Sequence, residues 1–398
     1  MSGDFFQLEV WKVYAVLCMI SVGFVLDLTN YYGALMFGLG MYSTVMAQNV
    51  IFSCSSRVLG LLFAYLGHGL VGVSAGFLAG ALLCLSYSMS IVKGKLKEPY
   101  GVFPYGKLLS YSLPLYAYGL IGLGLTWADL LVLQLMAGSL PLTGVYYLVT
   151  ASTNVLSVLW SPIASALFPA MSAHGSANSL GLKEAVEQSL RVITALVMPI
   201  SMALVSASAT AIAIAYGEDY LPGALPFSLV AAVAVFAAYS SIFTTLLQSV
   251  GKTLEVAYIG GLSMLSGISL ALILVKYFNL IGVALGRILM TLTAFALSYR
   301  FARKIVNFTF DGYSIKRSLM VTLCTAPILL GMDALMRVQH LQLVYTAIVD
   351  VALFVTLGVA SLLFWKPLTL SDVEVIEKAM PPSLGKVLSL LRCGAKQG

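Results

Sequence analysis

The stretches LVGVSAG at 70–76 and LIGVALG at 280–286 repeat nearly the same apolar pattern, with two glycines four residues apart in each. Small residues at this spacing allow two membrane helices to approach each other closely. A similar distance upstream of each motif, a glycine ends a long apolar run: Gly40 in GLGMYS and Gly251 in SVGKTL. The pattern predicts that residues 9–92 and 223–302 are two copies of one three-helix unit.

The composition places these helices in a membrane. Of the 398 residues, 60% are apolar and only 10% are charged, and the mean hydropathy is +0.96. Soluble domains contain about 45–50% apolar and about 25% charged residues. The apolar runs lack the alternation of polar and apolar residues that a membrane barrel requires. The sequence therefore predicts an all-α polytopic membrane protein.

Polar breaks, together with glycine and proline, divide the chain into about eleven predicted transmembrane helices. These spans are 9–36, 44–67, 70–92, 109–136, 143–170, 190–215, 223–249, 255–277, 281–302, 318–337 and 342–365. The predicted domains are a partial N-terminal bundle of three helices (1–92), a cytoplasmic linker (93–107), a complete six-helix C-terminal bundle (108–304), an extra helix pair (305–365) and a cytoplasmic amphipathic tail (366–398).

The charge distribution predicts the topology, because Lys and Arg are retained on the cytoplasmic side of a membrane. If the loop 93–107 is cytoplasmic, most of the 22 basic residues fall on the same side as that loop. This arrangement places the N-terminus outside and the C-terminus inside the cell membrane. The net charge of +6 is then explained by topology, and we expect no nucleic acid as a partner.

Ionisable side chains within the spans are the candidate site residues, because they are costly at membrane depth unless they face water or a partner. Asp27 and Arg57 would give the first bundle a polar interior. Asp129 and Arg287 lie at similar depths in the second bundle and could pair. Such a pair either ties two helices together or forms part of a substrate cavity, in which the guanidinium binds a phosphate and the carboxylate binds a proton or a sodium ion.

Catalytic and metal-binding motifs are not found in the sequence. It contains no Walker loop, no GxSxG and no HExxH motif, and its five cysteines form no CxxC pair. We therefore expect a transporter without a cofactor or metal site rather than an enzyme. A polytopic glycosyltransferase is an alternative, but it would need acidic residues on a substantial outer loop, and only the short loop with Glu218 and Asp219 offers them.

Several stretches resemble the second half of polysaccharide exporters, in the O-antigen-flippase-like branch of the multidrug/oligosaccharidyl-lipid/polysaccharide superfamily. They are KLLSYSLPLYAYGL (107–120), TWADLLVLQLMAG (126–138), GVYYLVTA (144–151), LFPAMSAHG (167–175), AYGEDYLPGALPFSLVAA (215–232), LLQSVGKT (246–253) and NLIGVALG (279–286). The resemblance covers about 1–305. It implies two six-helix bundles followed by a helix pair, of which this chain would hold helices four to fourteen and lack the first three.

The resemblance also implies a function. The protein is expected to move lipid-linked oligosaccharide or polysaccharide precursors across the cytoplasmic membrane by alternating access, in contact with membrane lipids and with possible proton or sodium coupling. A drug or cation antiporter of the same superfamily is an alternative, in which membrane carboxylates would dominate over arginines. A truncated member that transports nothing is another, because family members usually carry cavity residues in the first helices.

Overall fold

The structure is a computed structural model that describes residues 2–93, 105–174 and 179–338. Every regular element in these ranges is helical, in agreement with the predicted all-α class. The chain divides into two compact units, Met1–Phe103 and Pro104–Gly398. The predicted span 342–365, the tail 366–398 and most of the predicted linker 93–107 lie outside the described residues.

The first unit contains three long helices, α1 (Ser2–Gly38), α2 (Tyr42–Phe63) and α3 (Gly69–Lys93). Helix α1 is followed by Gly40, whose φ of +73° is in the left-handed region. The N–H of Met41 donates to the carbonyl of Met36 at 2.9 Å. This bond and the left-handed glycine form a Schellman motif, which ends a helix and lets the chain turn.

Helices α2 and α3 form a tight hairpin. A π-helical turn, Ala64–His68, joins them, and Gly67 and Gly69 have φ values of +91° and +50°. The chain reverses here because only glycine adopts such angles without steric cost. Within the hairpin, a Cβ atom on Gly80 would lie 2.6 Å from the backbone nitrogen of Ser56, and one on Gly76 would overlap the backbone of Gly60. The two helices therefore pack backbone against backbone.

The second unit contains nine described helices, of which α11 is the longest. They are α4 (Tyr105–Ala137), α5 (Leu140–Val155), α6 (Ser161–His174), α7 (Ser179–Ser206), α8 (Ser208–Tyr216), α9 (Ala224–Ala232), α10 (Ala234–Ser249), α11 (Thr253–Arg303) and α12 (Gly312–Val338).

Helix α11 is itself a hairpin. Its 51 residues are interrupted at Asn279, where φ is 44° and ψ is −115°. Its two halves then pack closely, since a Cβ atom on Gly286 would lie 2.7 Å from both the Cβ of Ala271 and the carbonyl oxygen of Gly267. As at the end of α1, a left-handed glycine precedes this hairpin: Gly251 has φ +80°.

The repeat predicted from the glycine motifs is therefore visible in the backbone of the α2–α3 hairpin and of α11. The Schellman bond recurs as well, because the N–H of Lys252 donates to the carbonyl of Leu247 at 2.8 Å. The first helices of the two predicted units differ, however. Helix α1 is continuous, whereas the span 218–249 is bent by 44° at Val233.

Six described helices are long and apolar enough to cross a membrane, or seven if the bent pair 218–249 is one span. Two of the six, Tyr42–Lys93 and Thr253–Arg303, have 52 and 51 residues. Because each folds back on itself, each half rises about 35 Å at 1.5 Å per residue, enough for a hydrocarbon core of about 30 Å. These halves match the predicted spans 44–67, 70–92, 255–277 and 281–302, and the total of eleven stays a prediction.

Besides the span bent at Val233, two more of the predicted continuous spans are broken. The span 143–170 consists of α5, a short 3₁₀ turn at Leu156–Leu159 and α6. The break at Trp160 precedes Pro162, which has no N–H to donate to the preceding turn and is tolerated in the first turn of α6. The span 190–215 is interrupted at Ala207, between α7 and α8, where no proline or glycine marks the break.

A cluster of aromatic side chains forms part of the buried core of the second unit. The rings of Phe243 and Phe308 stack with centroids 5.0 Å apart, and Tyr239, Phe295, Tyr299 and Phe310 pack around them. Phe308 belongs to the non-helical segment 306–311 between α11 and α12. Glu187 of α7 holds this segment, because its carboxylate accepts hydrogen bonds from the N–H of Thr309 at 2.8 Å and from its hydroxyl at 3.0 Å.

Candidate substrate-binding site

Asp129 and Arg287 form an ion pair inside the second unit. The Nη1 atom of Arg287 donates to Oδ2 of Asp129 at 2.7 Å, and both side chains are largely buried. The pair connects α4 with the second half of α11. The pairing expected from their similar depths is therefore observed, whereas its role in substrate binding stays a prediction.

A third residue, Tyr146 of α5, completes this group. Its hydroxyl donates to Oδ2 of Asp129 at 3.3 Å, and its side chain is fully buried. The sequence places Tyr146 among aromatic residues near a helix end, for which interface anchoring is the ordinary role. Tyr146 instead lies in an apolar cluster with Leu133, Val149 and Val283. No sequence pattern marks a tyrosine as the partner of a carboxylate on another helix.

The carboxylate of Asp129 accepts hydrogen bonds on both of its oxygens. Oδ2 accepts bonds from Arg287 and Tyr146, and Oδ1 accepts from the backbone N–H of Leu130 at 3.0 Å. A buried charge with such partners is stable where an isolated charge would not be. This arrangement suits a tie between α4, α5 and α11, and it leaves Asp129 little capacity for a further ligand.

In the first unit, Asp27 and Arg57 lie on the surface. The expectation that they line a polar interior stays a prediction, because both side chains are exposed on this unit and neither is buried within it. The interior polar groups are instead uncharged: Gln48, Ser56, Ser74 and Ser88 are all buried. A helix in the membrane can bury a serine cheaply because its hydroxyl donates to its own backbone, as Ser88 does to the carbonyl of Cys84 at 2.8 Å.

Gln48 is the most constrained of these interior groups. Its Nε2 atom donates to the carbonyl of Thr29 at 3.0 Å, which ties α2 to α1, and its backbone carbonyl accepts a bond from the Cys84 thiol at 3.3 Å. A Cβ atom on Gly33 would lie 3.1 Å from the amide group of the Gln48 side chain. Nothing in the residue pattern distinguishes Gln48 from the neighbouring Asn49, which is exposed.

Arg57 belongs to an exposed polar stripe along α2. Asn49, Ser53 and Arg57 are four residues apart, so they share one face of the helix. Asn49 and Arg57 are exposed and Ser53 is half-buried, while Ser56 and Gly60 face α3. Within the described ranges, Arg57 forms no ion pair. The stripe therefore presents an uncompensated cation near the middle of a membrane-length helix.

A broad groove lies on the α4–α5 surface, with a volume of about 740 Å³. The rings of Trp127 and Tyr147 stack there, with centroids 6.3 Å apart. The Thr143 hydroxyl donates to the side-chain oxygen of Gln134 at 2.7 Å and also lines the groove. The remaining lining is mostly apolar, which is ordinary for a surface in contact with lipid.

Comparisons with known proteins agree with these features. Residues 8–225 match the family described as "Polysaccharide biosynthesis protein". No curated protein matches the chain. Among solved structures, the chain is similar to one described as "Lipid II flippase MurJ, inward closed conformation", with a TM-score of 0.64 and 14% sequence identity. The match covers 86% of this chain and 73% of that chain. At this identity the likeness shows the fold, that of a polytopic helical membrane protein.

Proposed function

The chain belongs to the polysaccharide biosynthesis protein family, and from this membership we propose that it is a flippase. Its cargo is proposed to be a lipid-linked oligosaccharide or polysaccharide precursor, carried across the cytoplasmic membrane. The shared fold with a protein described as a lipid II flippase supports this class of substrate. The N-terminus is proposed to lie outside and the C-terminus inside.

The exposed position of Arg57 is the observation that carries the proposal. An arginine near the middle of a helix costs about 2.5–3.5 kcal/mol or more in a bilayer unless it faces water or an anion. Within the described part of the chain, no carboxylate pairs with Arg57. A water-filled cavity that receives an anionic head group would account for it.

The chemistry of the stripe fits a phosphate-linked glycan. The planar donor fork of arginine binds a phosphate or diphosphate oxygen pair well. Asn49 and Ser53, on the same face of α2, could then exchange hydrogen bonds with sugar hydroxyls. Asp27, also exposed, is the carboxylate that we propose for proton or sodium coupling. Asp129 and Arg287 are proposed to tie helices together within the second unit.

In the proposed cycle, the head group enters the cavity from the cytoplasmic side, the two units change their relative position, and the head group leaves outside while the lipid tail stays in the bilayer. Energy would come from an ion gradient or from onward use of the product. A drug or cation antiporter of the same superfamily would depend on carboxylates instead, so Asp27 rather than Arg57 would control transport. If the protein transports nothing, substitution of neither Arg57 nor Asp27 would change the measured flipping.

Transport by the full chain in proteoliposomes tests the proposal. The probe is a polyprenyl diphosphate oligosaccharide with a fluorescent sugar, whose movement is measured by the loss of fluorescence to an impermeant quencher. We expect wild-type protein to flip the probe, Arg57→Ala to reduce the rate at least tenfold and Arg57→Lys to restore part of it. Arg300→Ala, an exposed arginine at the end of α11, is the matched control. Wild-type rates in Arg57→Ala would refute the assignment.

A further inference from the structure

A second, smaller cavity lies within the second unit, where three helices meet. Its volume is about 250 Å³, and it is lined by residues from α4, α10 and both halves of α11. This is slightly smaller than the pockets of about 300–1,000 Å³ that hold drug-sized ligands. The cavity therefore has room for one small ring and not for an oligosaccharide.

Five of the residues that line the cavity carry hydroxyl groups on an aliphatic side chain, namely Ser240, Ser241, Thr244, Ser263 and Thr291. Three of them, Thr244, Ser263 and Thr291, donate to carbonyls of their own helices at 2.9–3.0 Å. A hydroxyl has one hydrogen and two lone pairs. Because the hydrogen is used within the helix, the partly exposed oxygens of Thr244 and Thr291 can only accept a hydrogen bond from an occupant. These two groups therefore favour a ligand that carries O–H or N–H donors.

The rest of the lining is mostly apolar and includes an aromatic ring. Tyr118 of α4 lies against Gly260, where a Cβ atom would come within 2.9 Å of the ring. Because Gly260 has no Cβ atom, the Tyr118 ring can lie beside the cavity. Ile259, Met290 and Ala294 supply the rest of the apolar surface.

The lining residues of this cavity carry no formal charge. A cation inside it would lose its hydration without gaining a counter-charge, which is unfavourable in a low-dielectric interior. The favoured occupant is therefore neutral and offers both hydrogen-bond donors and apolar surface. A sugar ring has both properties, because its hydroxyl groups project from the ring edge and its C–H groups form an apolar face.

We infer that this cavity is a binding site for a single neutral sugar ring, with Thr244 and Thr291 accepting from the sugar hydroxyls and Tyr118 packing on the C–H face. The inference rests on the proposed function, since it gives one sugar of the lipid-linked glycan a place in the second unit. It adds a specificity site separate from the phosphate contact proposed for Arg57.

Binding of free sugars to the full chain in nanodiscs tests this inference without any transport step. The probes are N-acetylglucosamine, glucose and galactose, and binding is measured by saturation-transfer NMR. We expect at least one probe to bind. Thr244→Val, which removes one acceptor, should weaken it about fivefold, the effect of one lost hydrogen bond. Tyr118→Leu should weaken it at least as much, whereas Tyr118→Phe, which keeps the ring, should not.

Thr245→Val is the matched control, because Thr245 makes the same kind of bond to its own helix at 2.8 Å but does not line the cavity. Thr291→Val replaces Thr244→Val if that variant fails to fold. The inference is overturned if none of the sugars binds, if sodium binds in their place, or if the Thr245 control weakens binding as much as the cavity variants do. Flipping that continues in those cases would leave the proposed function standing. Sugar binding without flipping would refute the proposed function alone.

Discussion

Gly76 and Gly286 occupy equivalent positions in two helical hairpins. Gly76 lies against the backbone of Gly60, and Gly286 lies against Ala271, so each hairpin places small residues at its closest approach. The next contact along each hairpin keeps the same register. Gly80 lies against Ser56 in the first hairpin, and Met290 lies against Gly267 in the second. Small residues allow such contacts in a membrane, where van der Waals packing replaces the hydrophobic effect between helices.

Gly76→Ala should separate α2 from α3 and destabilise the first unit. The added methyl group would overlap the backbone of Gly60, which cannot move as a flexible side chain could. We expect a loss of about 1–3 kcal/mol in the free energy of unfolding, as for other overpacked sites. Unfolding by SDS in mixed micelles measures it.

Gly23→Ala in α1 is the control for this substitution, because a Cβ atom there meets nothing within 4 Å. It should be neutral or stabilise the helix by up to about 1 kcal/mol, because alanine has the higher helix propensity. Equal stability of the Gly76→Ala and Gly23→Ala variants would contradict the close packing of α2 against α3.

Asn279→Gly should stabilise the second hairpin. Asn279 turns the chain at φ 44° and ψ −115°, close to the values of 50° and −133° at Gly69 in the first hairpin. A residue with a Cβ atom pays about 1–3 kcal/mol for such angles, and glycine removes most of that cost. We expect a gain of about 1 kcal/mol, measured by the same unfolding assay. Asn30→Gly, within α1, should instead lower stability by up to about 0.5 kcal/mol, and a loss at both positions would contradict the strained turn.

The sequence predicted those features that depend on one helix or on repeated local patterns. The glycine motifs located both hairpins, and the depths of Asp129 and Arg287 were sufficient to suggest their pairing. Features that depend on which face of a helix is covered could not be predicted in the same way. Arg57 and Gln48 both lie in α2, yet only packing against α1 and α3 decides that Gln48 is buried and Arg57 exposed.

Phe308→Ala should destabilise the second unit strongly. Phe308 is 2% exposed, stacks on Phe243 and anchors the segment between α11 and α12. Removal of a buried phenylalanine costs about 3–5 kcal/mol, because it leaves a cavity as well as losing apolar contacts. Phe278→Ala, at the tip of the α11 hairpin and 54% exposed, should cost far less. Thermal unfolding of the purified protein compares them, and similar losses would refute the anchoring role of Phe308.

Substitutions at the ion pair distinguish a helix tie from a substrate contact. Arg287→Met alone should cost about 3–5 kcal/mol of stability, because it leaves the buried carboxylate of Asp129 without its counter-charge. The double variant Arg287→Met with Asp129→Asn should recover much of that loss, since no buried charge remains. Tyr146→Phe, which removes only the 3.3 Å hydrogen bond, should cost about 1 kcal/mol.

Transport by the same variants completes this comparison. If the pair ties α4 to α11, the double variant should regain flipping together with stability, because the helices are again held without an unpaired charge. If Arg287 instead binds the phosphate of the substrate, the double variant should fold well and still fail to flip the probe. Measuring unfolding and flipping on one preparation separates these outcomes, and a stable, inactive double variant would overturn the assignment of Asp129 and Arg287 as a structural tie.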